Sequence, residues 1–235
     1  MKRILAAVCA VCLLLTAASD QARFAPQVLM YHLVEEEPFT DYTSLFVRPS
    51  DLDAQVALLT RNNYRFLFAE EYEKTSTPSV VLTFDDGYED NYTELYPVLQ
   101  KYGAKATVFL ISDQIGKPGY LSREQIREMS ASGLVSFQSH TKTHRDLTTL
   151  TEADVRTEFR YSKYVIESIT GKPVKAISYP EGQYTDTLAK IAKEYFTRAY
   201  STLPRRPLRG MSMYSISRKS VTRDCSLEQY WQMLQ

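Results

Sequence analysis

Short apolar runs alternate along this chain with longer segments of helical period, and that alternation limits what the chain can fold into. The runs are Val28–His32, Tyr64–Phe68, Val80–Phe84, Ala106–Ile111, Val135–Ser139, Lys175–Tyr179, Arg198–Ser201 and Tyr214–Val221. Several are apolar almost throughout, Val80-Val81-Leu82-Thr83-Phe84 most clearly, as parallel strands covered on both faces must be. The segments between them carry helix punctuation. Ser50 or Asp51 is placed to cap a helix with Leu52, Val56, Leu58 and Leu59 on its inner stripe. Ser122 and Gln125 have capping-box spacing ahead of Ile126 and Met129, with Gly133 to close that helix. Tyr92–Tyr102 stops at Gly103 in the same way, and Thr151 with Asp154 opens the longest helix, which runs towards Gly171. Strand–helix units repeated this often predict an α/β fold with a parallel sheet rolled into a barrel. A chain of 235 residues has room for one such domain, expected over 27–235.

The first residues stand apart from that pattern. Lys2 and Arg3 precede an apolar run from Ile4 to about Ala18, which ends in the small residues Ala17, Ala18 and Ser19. The run is shorter than the ~20 residues a membrane span requires and has the order of an export signal, so residues 1–19 are expected to be a signal peptide. The protein is then exported, to the cell envelope or beyond. Cys9 and Cys12 leave with the signal, and Cys225 alone cannot form an intrachain disulfide. Twenty-eight basic residues balance 28 acidic ones, and no basic stripe stands out, which removes the electrostatic footprint of a nucleic-acid binder. No protein partner is indicated, and a monomer is expected.

The polar residues that could carry chemistry fall just beyond the C-terminal ends of the predicted strands. Asp85 and Asp86 follow Phe84, His140 follows Ser139, Tyr179-Pro180-Glu181-Gly182 follows Ile177 and Ser178, and His32 follows Tyr31. In parallel α/β folds those ends face one crevice, so residues far apart in sequence can meet there. His140 and His144 have i, i+4 spacing, which lets two imidazoles face one point on a turn or helix. A carboxylate from another strand end would complete a set of three N/O ligands with open positions, the pattern of a catalytic metal site. Zinc suits it; cobalt, nickel and iron accept the same ligands. Adjacent aspartates side by side point in different directions, so one can bind a cation while the other faces a substrate.

These residues resemble two motifs of the polysaccharide deacetylase family, the chitooligosaccharide-deacetylase homology domain. The matching segments are Thr83-Phe84-Asp85-Asp86-Gly87-Tyr88 and Ser139-His140-Thr141-Lys142-Thr143-His144, with Asn91-Tyr92, Tyr102-Gly103, Ala106-Thr107-Val108-Phe109 and Gly133-Leu134-Val135 in order around them. The resemblance covers roughly 27–182. It implies a distorted (β/α) barrel, one divalent metal ion held by Asp86, His140 and His144, and Asp85 as general base. Val28-Leu29-Met30-Tyr31-His32 resembles the opening of circularly permuted members, similar to poly-N-acetylglucosamine deacetylases, which makes His32 the expected general acid. The implied activity is hydrolysis of N-acetyl groups from an extracellular or cell-envelope polysaccharide containing N-acetylglucosamine. The alternatives are an O-acetyl esterase of the xylan type and a non-catalytic carbohydrate-binding domain on the same fold.

The chain also departs from the family pattern. Ser178 stands where the third motif has an arginine that tethers the base, and Glu181 replaces an aromatic residue. Arg198 and Arg218 are the two arginines that could supply the tether instead, and the sequence leaves that choice open. Tyr88, Tyr179, Pro180 and Glu181 are the expected substrate contacts, the tyrosines by stacking on sugar rings. Trp231 lies in a C-terminal amphipathic segment and is expected to pack rather than bind sugar.

Overall fold

The computed structural model describes residues 24–38, 41–203 and 212–235. The predicted signal segment lies outside them. Among the described residues no helix is long and apolar enough to cross a membrane.

The strands are β1 (Gln27–Tyr31), β2 (Leu33–Val34), β3 (Phe46–Val47), β4 (Arg65–Phe66), β5 (Ser79–Phe84), β6 (Ala106–Leu110), β7 (Val135–Ser139), β8 (Ala176–Ser178), β9 (Arg198–Ser201), β10 (Ile216–Ser217) and β11 (Lys219–Ser220). The helices are α1 (Pro49–Arg61), α2 (Tyr96–Tyr102), α3 (Arg123–Ala131), α4 (Glu152–Thr170), α5 (Asp186–Tyr195) and α6 (Leu227–Met233). One sheet runs in the order β10-β9-β8-β7-β6-β5-β1-β11, with β4 also paired to β5. Every pairing in it is parallel, so helices must return the chain between strands. β2 and β3 form a separate two-stranded ribbon.

The final predicted strand, Tyr214–Val221, is divided. Its first half, β10, pairs with β9, and its second half, β11, pairs with β1. One short segment therefore touches both ends of the strand order and brings the sheet close to a closed barrel. Arg218 is the residue between the halves, its amide donating to the carbonyl of Ser201. A sheet rolled in this way has no long free edge to cover.

Strand parity sorts the core into two layers. Leu29, Tyr31, Val80, Leu82, Phe84, Val108, Val135, Phe137 and Ile177 pack outward under the helices, against residues such as Leu52, Val56, Leu99, Ile126, Phe159 and Ile191. Val28, Val81, Phe109, Ala176, Tyr200 and Ile216 form a smaller inner cluster inside the barrel. All six residues of β5 are buried, which is why that run lacks the alternation of a half-exposed strand. Burial of each large side chain there stabilises the fold by roughly 1.5–3 kcal/mol.

Helix punctuation mostly follows the sequence. Ser122 and Gln125 make a reciprocal capping box at α3. Thr151 caps α4, and Gly171 ends it in a left-handed conformation. Two boundaries differ. α1 starts at Pro49, with Arg48 rather than Ser50 or Asp51 at the cap position, because proline's fixed φ and missing N–H suit the first helical position. A π-turn over Asn91–Leu95 precedes α2, an irregularity that residue type alone does not signal.

Candidate metal centre and its carboxylate neighbour

Continuing the inward parity of each strand past its C-terminal end places the functional residues. On β5 the series Val81, Thr83 leads to Asp85; on β7 Ser136, Gln138 leads to His140; on β8 Ala176 leads to Ser178; on β1 Val28, Met30 leads to His32. Asp85, His140 and Ser178 are buried and His32 is half-buried. Parity alone therefore aims them at one point, at one mouth of the barrel.

Asp86 joins them through its backbone. Its φ is +71° and that of Gly87 is +80°, so the chain reverses directly after Asp85. A Cβ at Gly87 would fall 2.4 Å from Cδ2 of Leu110, so any other residue there would add displacement of that side chain to the strain of a positive φ. The turn carries the Asp86 carboxylate to 3.5 Å from Nε2 of His140 and 3.7 Å from Nε2 of His144. Among the described residues these three make the only such cluster, with ligand atoms all within 4.8 Å of one another.

Their chemistry fits a cation. Nδ1–H of His140 donates to the carbonyl of Ser178 at 2.8 Å, which leaves the Nε2 lone pair facing Asp86. Burial depresses the His140 pKa, assisted by neighbouring His144 and opposed by Asp85 and Asp86. Oδ1 of Asp86 is buried without a hydrogen-bond partner. Three potential ligand atoms thus converge, one of them a buried carboxylate oxygen without a donor, which is unfavourable unless a positive ion is shared. Zinc ligands sit ~2.0–2.2 Å from the metal, so tetrahedral neighbours lie ~3.4 Å apart, close to the separations found.

The two histidines do not sit on a helix. They flank a loop in which Thr141 and His144 both adopt left-handed backbone conformations, φ +67° and +62°. Each costs on the order of 1–2 kcal/mol for a residue with a Cβ, so surrounding contacts must hold them.

Asp85 has a different environment. Nη1 and Nη2 of Arg218 donate to its two oxygens at 2.7 Å each. Nη1 also donates to Thr83 Oγ1 at 3.1 Å and Nη2 to Ser178 Oγ at 2.8 Å, while Ser178 Oγ–H reaches Asp85 at 3.3 Å. Arg218, not Arg198, is the tether; Arg198 instead donates to the carbonyls of Tyr72 and Thr197. Burial pushes the Asp85 carboxyl up, but Arg218, His140 and His32 outweigh it and hold it well below the ordinary carboxylate range. A carboxylate has about four lone-pair sites. Three are occupied here, and Nε2 of His140 stands 3.8 Å from Oδ2.

The expected sugar contacts divide. Tyr88 is half-buried at the mouth, its phenol hydrogen-bonded with Asp86. Its ring stacks on Tyr120, with centroids 5.2 Å apart. Tyr120, which the sequence did not single out, is thus part of the same aromatic surface. Glu181 is exposed. Tyr179 and Pro180 are corrections: both are buried. Tyr179 follows inward-facing Ser178 and so points outward, where it donates to the carbonyl of Tyr214 and stacks on Tyr184. Neither is available to a sugar ring. Trp231 packs against the outer core beside Tyr64.

A parallel barrel that gathers two carboxylates and two imidazoles at one mouth defines a class of hydrolase. Residues 72–200 match the polysaccharide deacetylase family, and the chain belongs to that family. YxkH of Bacillus subtilis, a protein assigned to the polysaccharide deacetylases, is 36% identical over 203 residues, 83% of this chain and 71% of its own length. The poly-β-1,6-N-acetyl-D-glucosamine N-deacetylase of Staphylococcus epidermidis is 29% identical over 199 residues, 71% of this chain and 68% of that protein. Among solved structures, the polysaccharide deacetylase BC0361 of Bacillus cereus superposes with a TM-score of 0.84 and 32% identity, over 91% of this chain and 70% of that one. Deacetylase PplD of Streptococcus pyogenes, solved with acetate, gives 0.81 and 29% over 91% and 99%. The fold is the deacetylase barrel, and the chain is a hydrolase of the deacetylase type.

Proposed function

We propose that this protein removes N-acetyl groups from a polysaccharide containing N-acetylglucosamine, with Asp86, His140 and His144 holding one divalent metal ion, zinc by preference. The observation that carries this reading is the meeting of Asp86 Oδ1 and the Nε2 atoms of His140 and His144 beside a separately tethered carboxylate. The relative that acts on poly-β-1,6-N-acetyl-D-glucosamine supports the choice of amide and sugar.

A divalent cation at this site supplies positive charge that polarises an amide carbonyl and acidifies water. The protein's own groups do the rest. Asp85, held ionised and fixed by Arg218, keeps one lone-pair direction free to take a proton from the attacking water. His32, at the same mouth on the opposite flank, donates a proton to the departing sugar amine. Amide and water become acetate and free amine, and the proton taken by Asp85 balances the one His32 gives. Half-buried Tyr88 and Tyr120 offer an aromatic surface against which a pyranose can lie. Export, directed by residues 1–19, places the enzyme with such polymers.

The test is acetate release. Metal-stripped protein, reloaded with zinc or cobalt, is incubated with N-acetylglucosamine oligomers and with O-acetylated xylan, and products are read by mass spectrometry. Loss of one acetyl mass per event from the amino sugar alone is the expected result. Release from xylan alone establishes the ester reading, and no turnover with either metal on any N-acetylated polymer sinks the catalytic one.

A further inference from the structure

The loop between the two histidines, His140-Thr141-Lys142-Thr143-His144, contains no glycine or asparagine, yet two of its residues have left-handed backbone. Residue type does not confer that shape, so its hydrogen bonds must. His140 N–H donates to the carbonyl of Leu110 at 2.8 Å, continuing the sheet. Thr141 N–H goes to Ser139 Oγ and His144 N–H to Thr141 Oγ1, at 3.1 and 3.0 Å. The carbonyls of Thr141 and Lys142 accept from Ser112 and Asp113. The remaining two amides, Lys142 and Thr143, converge on one oxygen of Glu158 at 2.9 and 2.8 Å. Its other oxygen accepts from Thr143 Oγ1 at 2.8 Å.

Glu158 lies on α4, 5% exposed, and makes no salt bridge among the described residues. Its carboxylate is committed to this loop. We propose that Glu158 is a positioning residue that sets the spacing between His140 and His144, and so the affinity of the Asp86–His140–His144 cluster for a divalent metal. The proposal rests on the metal reading above. Without the carboxylate, two part-buried amides lose their acceptor and the left-handed conformations lose contacts that hold them. The loop then relaxes to ordinary backbone, and His144 leaves Asp86. Groups that orient metal ligands typically govern affinity by 10–100-fold.

The experiment uses the full chain with E158A, E158Q and T143V. Zinc affinity is measured by competition with a chromogenic chelator, the ligand set by the visible spectrum of bound cobalt(II), and folding by circular dichroism. E158A is expected to weaken zinc binding about 10–100-fold and alter the cobalt spectrum while staying folded. E158Q, whose amide oxygen still accepts both N–H groups while its NH₂ donates to Thr143 Oγ1, is expected to stay within about threefold of wild type. T143V, which removes one of the three bonds, falls between. A folded E158A with wild-type affinity and cobalt spectrum overturns the proposal. If E158A does not fold, T143V decides, and unchanged affinity there overturns it. A wild type that binds neither metal refutes the metal reading separately. In that case hydrogen exchange still tests the loop: unchanged amide protection at 141–144 in E158A, or in T143V if E158A does not fold, overturns the role of Glu158.

Discussion

Asp90 offers a sharp test of how burial is tolerated beside this site. Its carboxylate, 4% exposed, accepts the Val34 amide at 2.8 Å and Nδ2 of Asn91 at 2.7 Å. It thereby fastens β2, the strand that follows His32. Burial pushes its pKa up to about 7, with Glu35 and Glu94 adding to the rise and the two hydrogen bonds opposing it. The unfolded chain releases this proton near 3.8, whereas the folded chain keeps it to about 7. Between those values the folded state is the proton-richer one, so stability falls as the pH rises across the window. Above pH 7 the cost is constant, on the order of 4 kcal/mol. Asp90→Asn removes that cost. Its Oδ1 still accepts from Val34, and its NH₂ can donate to Oδ1 of Asn91, which is buried without a partner. The Asn91 Nδ2 then loses its acceptor, at about 1 kcal/mol. The variant should match wild type at pH 4.5 and exceed it by about 3 kcal/mol at pH 8. Urea denaturation in chelator at a series of pH values measures the difference. A difference that does not change with pH refutes the reasoning.

Other expectations follow from the site. Arg218→Met leaves the buried Asp85 carboxylate unpaired and should cost about 3–5 kcal/mol by chemical denaturation; the double variant with Asp85→Asn should regain most of that. Asp85→Asn alone should lower kcat about 10²–10⁴-fold while retaining zinc, read by acetate release beside metal analysis; near-wild-type turnover with metal bound would remove Asp85 as the base. Gly182→Ala should destabilise by about 2 kcal/mol or more, read as a fall in Tm, because φ there is +70° and a Cβ would meet the Thr202 amide nitrogen at 2.6 Å. Gly103→Ala, at φ +62° with no atom within 4 Å, should cost only the backbone strain, about 1 kcal/mol.

The fold was legible because its signals are local and periodic. β5 and β7 announce themselves by unbroken apolar runs, and α3 and α4 by their caps. Placement of Asp85, Asp86, His140 and His144 followed from strand ends, since parallel strands deliver their C-terminal residues to one mouth. Tyr179 was misread although the signal was present: if Ser178 faces inward beside the base, the next residue must face the helices. Glu158 carried no signal. It sits in the middle of a helix, 14 residues beyond His144, where a glutamate is ordinarily a solvated surface residue, and only the folded loop turns three donors towards it. Tyr120 was equally hidden, because the backbone bridge that lays it beside Tyr88 joins residues 32 apart in sequence.

The base tether shows where periodic reasoning ends. Ser178 replaces an arginine, which read in isolation suggests a loosened or lost base. In the barrel, position 178 is one of several inward positions around Asp85, and the segment that closes the sheet supplies another. β10 and β11 are two residues each, separated only by Arg218. Pairing of the first with β9 and the second with β1 fixes residue 218 opposite the end of β5. A long, planar guanidinium from there makes both bonds to the carboxylate and still reaches Thr83 and Ser178. Ser178 is then no deficit: a small hydroxyl leaves room for the incoming arginine and accepts the second N–H of its Nη2. An arginine at 178 as well would crowd two buried cations onto one carboxylate, which desolvation makes costly. The serine and the arginine are thus halves of one arrangement, linked by barrel closure rather than by any spacing along the chain.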